Sequence, residues 1–196
     1  MISSILLAAG LSTRMGEPKA LLDWGGQPLI AYQVQQLKEA GVDEVIVVVG
    51  HHGDEIHRRI GQLPCRVMFN ARYVQGRASS LRIGARAVNR DAEAIVIMNV
   101  DQPRPASHIR ALLAAHTATF AATRPHYNGH SGHPLVVSGA LREELLHAVE
   151  EEGGLRAIIR AHAAEIQDIP SDALCQVDVN TPEEYRAALA SVGTGG

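Results

Sequence analysis

Leu6-Leu7-Ala8-Ala9-Gly10-Leu11-Ser12-Thr13-Arg14-Met15-Gly16-Glu17-Pro18-Lys19 is the stretch from which the rest of the chain is read. An apolar run, Ile5 to Ala9, stops abruptly in a loop of Gly, Ser, Thr, Arg, Gly and Lys. That pattern fits a buried strand feeding a loop that can wrap phosphates. Gly10 and Gly16 can adopt positive φ and let the backbone approach a ligand. Successive loop N–H groups can then converge on an anion. Arg14 adds a bidentate fork and Lys19 a point charge. Two familiar phosphate motifs are excluded. A P-loop needs Lys followed by Ser or Thr, whereas Lys19 follows Pro18 and precedes Ala20. The dinucleotide fingerprint needs three closely spaced glycines opening a helix, which Gly10 and Gly16 do not supply. An ordinary glycine-rich βα loop is the plain alternative.

Working outward, the 196 residues suit a single domain, expected over 1–192, with Gly193 to Gly196 as a disordered tail. A hydrophobic content of 46% supports a sizeable core, and 4% aromatics makes that core mainly Ala, Val, Leu and Ile. A formal net charge of −3 argues against a nucleic-acid partner held by bulk electrostatics. Lys19 and Lys38 are the only lysines, so a lysine in the glycine loop stands out. Cys65 and Cys175 build no metal or disulfide framework and are expected to be reduced thiols. The N-terminal apolar run lacks a basic flank and is too short for a signal or a span. The expectation is a soluble, cytoplasmic protein with no membrane partner. No His-x-x-x-His pair is backed by a helical Glu, so the histidines read as surface or core polar residues.

Strands are expected at Val42 to Val49, Arg66 to Phe69, Ala94 to Val100, Phe120 to Thr123, Leu135 to Val137, Gln167 to Ile169 and Gln176 to Val179. Helices are expected from Pro28 to Gly41, up to about Ile60, from Ser79 to Val88, Pro105 to His116, Gly139 to Val149, Leu155 to His162 and Pro182 to Ala190. Pro125 to Gly132 reads as a loop. Alternating strands and helices, with continuous apolar strands, predict an α/β fold: three layers, α/β/α, around a mostly parallel Rossmann-like sheet. Ligands bind beyond the carboxyl ends of such strands. Gly10, Asn70, Asp101 and Asp178 all fall at or just after strand ends.

Asp101 follows the apolar run Ile95 to Val100 and suits Mg²⁺, which takes one or two carboxylates plus phosphate oxygens and water. A turn cap before Pro103 is the alternative. Thr181, Pro182 and Glu184 form a capping box, a structural device. Asp178 and Asn180, two apart, would share a face of a strand and could complete a metal site opposite Asp101. Ser79 and Ser80 could cap a helix or bond ribose, base or phosphate. His126, His130 and His133 have no supporting carboxylate or thiol, which weakens a metal role for them.

Leu-Ala-Ala-Gly-x-Ser-x-Arg-Met-Gly-x-x-Lys resembles the signature of MobA-like nucleotidyltransferases, which transfer NMP from an NTP to a phosphate-bearing acceptor. The resemblance implies nucleotide contacts from Leu7, Ala8, Ala9, Gly10, Ser12, Arg14, Met15, Gly16 and Lys19. Gly76 to Leu81 resembles the family's Gly-x-x-x-Ser-Leu element, which adds Gly76, Ser79 and Ser80, and Asn70 matches an Asn upstream of it. Asp101-Gln102-Pro103 resembles the metal-binding strand end. Asp178-Val179-Asn180 is a mixed form of the family's paired Asp or Asn before Thr-Pro, and Asn180 is favoured by position. Gly132, His133 and Pro134 resemble the Gly-His-Pro of the acceptor side, and Arg156 the Arg of a Gly-x-Arg element there. The implied catalytic set is Arg14, Lys19 and Asp101, with Mg²⁺ as cofactor and Mn²⁺ as an alternative. Ala9 points toward CTP, because guanylyl-transferring members carry Gly there. The nearest resemblance is to molybdenum cofactor cytidylyltransferases, which implies molybdopterin as acceptor and a molybdoenzyme as recipient, although no residue marks a docking site. Guanylyl or sugar-phosphate transfer, an NAD(P)-dependent oxidoreductase of the same fold, and a non-catalytic nucleotide or cofactor carrier are the competing classes.

Overall fold

In a computed structural model, residues 1–11 and 15–192 are described, and the opening apolar run is strand β1 (Ile2–Ala8). Ser12, Thr13, Arg14 and the expected tail, 193–196, lie outside the described residues. β1 pairs in parallel with β2 (Glu44–Val49) on one side and β4 (Ala94–Asn99) on the other, and β2 carries β3 (Arg66–Phe69). β7 (Leu135–Ser138) runs antiparallel to β4 and joins it to β5 (Ala122–Tyr127). β5 in turn pairs with the short antiparallel β6 (His130–Ser131) and with the parallel β8 (Ile166–Pro170). Of the eight strands among the described residues, only β6 and β7 oppose the common direction, so the sheet is mixed but mostly parallel.

Strand side chains alternate between two cores. Leu6, Val47 and Met98 pack under α1 (Leu29–Glu39), α2 (Gly53–Ile60) and α4 (Ala106–Ala115). Ile5, Val48 and Ile97 pack under α3 (Arg77–Ala87), α5 (Arg142–Leu146) and α6 (Leu155–Ala161). The three-layer arrangement follows from this two-sided burial. A third cluster, around buried Trp24, Leu29 and Val179, docks the last helix, α7 (Pro182–Val192), beside the first loop. No described helix is long and apolar enough to cross a membrane, and both cysteines are free thiols.

Several boundaries differ from the sequence expectation. Gln176–Val179 is not a strand: a 3₁₀ turn (Ala173–Gln176) runs into extended backbone outside the sheet. Its polar groups bond elsewhere. The carbonyls of Cys175 and Val177 accept from Arg104, and Val179 N–H donates to Asp101 O at 2.7 Å. Asp178 and Asn180 therefore do not share a strand face. The expected loop from Pro125 to Gly132 is largely a hairpin. Asn128 and Gly129 both have positive φ, 49° and 80°, as a two-residue type I′ turn requires. The helix expected over Gly139 to Val149 is a 3₁₀ turn plus the short α5.

Candidate active site

The loop after β1, the end of β4 and the turn after β3 enclose an open cleft of about 410 Å³, within the range of small-molecule sites. Leu7, Ala8, Ala9, Gly10, Leu11, Lys19, Gly76, Arg77, Ser80, Asn99 and Asp101 are among its lining residues. Gly10 keeps a negative φ and would have room for a side chain; its value here is the open wall it leaves. Gly16 does take positive φ, 76°. Gly16 is not among the lining residues, and Met15 packs into the Trp24 cluster instead.

Lys19 begins a 3₁₀ turn (Lys19–Leu21) directly after Pro18. Its ammonium donates to Asp101 Oδ2 at 3.1 Å and to Asn180 Oδ1 at 2.8 Å. Three residues far apart in sequence thus converge on one point of the cleft wall. Asp101 and Asn180 are held from behind. Gln33 of α1, fully buried, donates to Val100 O at 2.8 Å, and Val100 N–H donates to Leu7 O, fixing the strand end that carries Asp101. The capping box forms as expected: Glu184 accepts from Asn180 N and Thr181 N, and Thr181 Oγ1 accepts from Glu184 N. That structural motif also sets the pose of Asn180.

Asp178 sits behind this pair. Its carboxyl is raised in pKa mainly by burial; Gln102's hydrogen bond opposes that shift, and nearby Asp101 adds to it. Gln102 also accepts from Asn99 Nδ2 at 2.6 Å, and Asn99 Oδ1 accepts from Arg77 at 2.7 Å. A polar chain therefore runs from Arg77 in the cleft to Asp178. Among the described residues, no three His, Cys, Asp or Glu side chains are grouped to hold a metal alone. Asp101 and Asn180 are hard oxygen donors already converging on a cation. That set fits Mg²⁺, which keeps water and phosphate oxygens in its shell.

Asn70 and Ser79 lie behind the cleft wall. Asn70, 2% exposed, donates to Ser79 Oγ at 2.8 Å and Ser80 Oγ at 2.9 Å, and accepts from Arg72 N. Ser79 Oγ donates back to Gly76 O at 2.7 Å, and neither serine is the cap of α3, whose first turn follows Gly76. Ser80 alone of the two serines lines the cleft. The network shapes the Gly76 turn.

The Gly132-His133-Pro134 segment leads into β7 at the same sheet edge. A side chain at Gly132 would collide with Cys175, so glycine lets two backbones touch. His133 N–H donates to Cys175 O at 2.8 Å. The His133 ring is held at a pKa of about 4 by burial and by the charges of Arg104, Arg77 and Arg156, so it is neutral near pH 7. Arg156, exposed in the first turn of α6, thus belongs to the electrostatic surroundings of His133.

Sequence reasoning missed Arg104, Arg77 and Asn99. Arg104 is fully buried and donates to the carbonyls of Pro103, His133, Cys175 and Val177 at 2.7–3.0 Å. Burial lowers its pKa to about 10, and Asp178 opposes that fall. An Arg between Pro103 and Pro105, and an Asn ending an otherwise apolar strand, were the available signals. His51 and Tyr73 also line the cleft; a side chain at Gly50 would collide with Tyr73.

The chain is 29% identical over 195 residues to nicotine blue oxidoreductase of Paenarthrobacter nicotinovorans, covering 94% of this chain and 95% of that protein. It is 26% identical over 190 residues to molybdenum cofactor cytidylyltransferase of Escherichia coli, covering 95% of each. A nucleotidyl transferase structure from Methanothermobacter thermautotroptrophicus superposes with a TM-score of 0.84 at 24% identity, covering 100% of this chain and 99% of that one, a likeness of fold. The MobA-like NTP transferase domain model matches residues 4–166, and the chain belongs to that family.

Proposed function

We propose that the protein transfers NMP, with CMP from CTP favoured, to a phosphate-bearing acceptor of the molybdopterin class and releases pyrophosphate. The observation that carries this reading is the meeting of Lys19, Asp101 and Asn180 on the cleft wall. Asp101 and Asn180 would hold Mg²⁺ or Mn²⁺, with Asp178 orienting from behind. The metal would supply charge neutralisation at the NTP phosphates. Lys19 binds the β- and γ-phosphates, together with the expected contribution of Arg14. Ala8, Ala9 and Gly10 on one wall, and Gly76 and Ser80 on the other, position the nucleoside. Asn70 and Ser79 support that second wall.

The acceptor enters along Gly132, His133, Pro134 and Arg156. Its phosphate attacks the α-phosphorus in line, the bond to the β-phosphate oxygen breaks, and pyrophosphate carries the charge away. A phosphate is already an anionic nucleophile at neutral pH, so no general base is required and a neutral His133 is consistent. Catalysis is positioning and charge neutralisation.

A panel of CTP, GTP and ATP with Mg²⁺ in a thermal-shift assay tests the reading, because binding to the folded state raises apparent stability. CTP should give the largest shift, and Asp101→Ala should abolish pyrophosphate release while leaving the fold intact. Absence of a shift with every NTP sinks the proposal. The match to an oxidoreductase favours one second reading, an NAD(P)-dependent reductase. A shift with NADPH but with no NTP would select it.

A further inference from the structure

The reading above gives Lys19 two incompatible duties. It is assigned to phosphates, yet its ammonium lies 3.1 Å from Asp101 Oδ2 and 2.8 Å from Asn180 Oδ1, the two oxygens assigned to the metal. Mg²⁺ binds oxygen at about 2.0–2.1 Å. An ion held by both oxygens would stand in contact with the ammonium, and two cations in contact repel. We infer that Lys19 and the divalent ion compete for one position: the ammonium holds it first, and metal entry displaces it into the cleft toward the phosphates.

Three features support an exchange rather than a fixed ion pair. Lys19 and Asp101 both line the cleft, so the ammonium has somewhere to go. The lysine backbone is fixed in its 3₁₀ turn after Pro18, and the side chain is four flexible carbons long. Asp101 and Asn180 are anchored independently of Lys19, through the β4 end and the capping box, so the two oxygens stay converged when the ammonium leaves. The consequence is ordered charge. Metal alone must evict a lysine that has no phosphate to receive it, and binds weakly. Metal arriving with an NTP gives Lys19 a new anion, and binds well. The exchange rests on the nucleotidyl-transfer reading and adds a coupling that the reading does not require.

Mn²⁺ binding without nucleotide, followed by electron paramagnetic resonance of the free ion, tests it. Lys19→Met should bind Mn²⁺ at least tenfold more tightly than the natural protein. Lys19→Gln serves the same purpose should the Met variant unfold. Adding Asp101→Asn should remove the gain. Equal or weaker Mn²⁺ affinity in the Lys19 variants overturns the exchange, as does a gain that survives Asp101→Asn, since the ion then sits elsewhere. These outcomes leave nucleotidyl transfer standing if Mn²⁺ still binds in the presence of CTP. Failure of every form to bind Mn²⁺, even with CTP, overturns both.

Discussion

Two cations stand at the carboxyl edge of the sheet, and they are used in opposite ways. Arg104 is fully buried, and four backbone carbonyls take up its donors. Lys19 lies on the cleft wall, held by side chains of Asp101 and Asn180. Arg104 ties the extended 177–179 segment and the His133 turn to the end of β4, so it holds these segments together from within. Lys19 can release its partners to a ligand. A planar fork with its donors committed to carbonyls makes architecture, and a mobile point charge at a cleft makes a binding site. A cation at a sheet edge is therefore sorted by what it bonds, not by its distance from the site.

The sharpest test of that contrast is stability against binding. Arg104→Met removes the donor from four carbonyls, of which Cys175 O keeps only the His133 N–H, and takes from Asp178 its nearby counter-charge. It should cost about 3–5 kcal/mol in urea unfolding, as removal of one member of a buried polar cluster does. Lys19→Met should cost within about 1 kcal/mol, because the pair it breaks is partly exposed. It should weaken CTP much more than CMP in calorimetric titration, since CMP lacks the phosphates that the proposed function gives to Lys19. Comparable stability losses in the two variants would erase the distinction.

His133 gives a second, smaller test on the Arg104 side. An unfolded histidine titrates near 6.5, and this ring in the folded protein near 4. Between those values the unfolded chain binds more protons, so the contribution to stability is complete above about pH 6.5. It is lost progressively as pH falls toward 4, with no further loss below. Linkage puts the loss between pH 7 and pH 5 at about 2 kcal/mol. His133→Gln keeps the backbone bonds to Cys175 and Arg104 and should flatten that slope. An unchanged slope would assign the acid sensitivity to other groups, His116 among them, whose pKa burial also lowers.

The same contrast explains how much could be read from the sequence. β1, β2 and β4 are built on apolar runs ended by Gly or Asp, where local composition and burial on both faces agree, and β3, an edge strand exposed at Arg66 and Phe69, still falls on its expected residues. β5 is Ala-Thr-Arg-Pro-His-Tyr, with no apolar periodicity, and only the Asn128-Gly129 turn announces its hairpin. Gln176 to Val179 looks like a strand and is not one: the Val177 carbonyl, like that of Cys175 just before the segment, goes to Arg104 instead of a strand. That bond joins residues more than seventy positions apart in the chain and leaves no local trace. Lys19, Asp101 and Asn180 were legible through their motifs. Their mutual contact, and the support of Gln33 and Gln102 behind them, exist only in the folded chain.

The smallest expected effect concerns the base. Ala9 is 7% exposed and lines the cleft directly after β1, so its methyl group narrows the Lys19 side of the cleft, where the proposed function puts the nucleotide. One methyl group in a packed site discriminates by roughly 1 kcal/mol or a little more, about tenfold in relative efficiency. Ala9→Gly should raise kcat/KM for GTP relative to CTP by about that factor, at a stability cost of about 0.5–1 kcal/mol from added backbone freedom. The ratio is the informative quantity, since looser packing would lower both rates together. A ratio that does not move would take base selection away from the β1 loop. It would place it on the opposite wall, where Gly76, His51 and Tyr73 meet. The Lys19 side would then recognise phosphate alone.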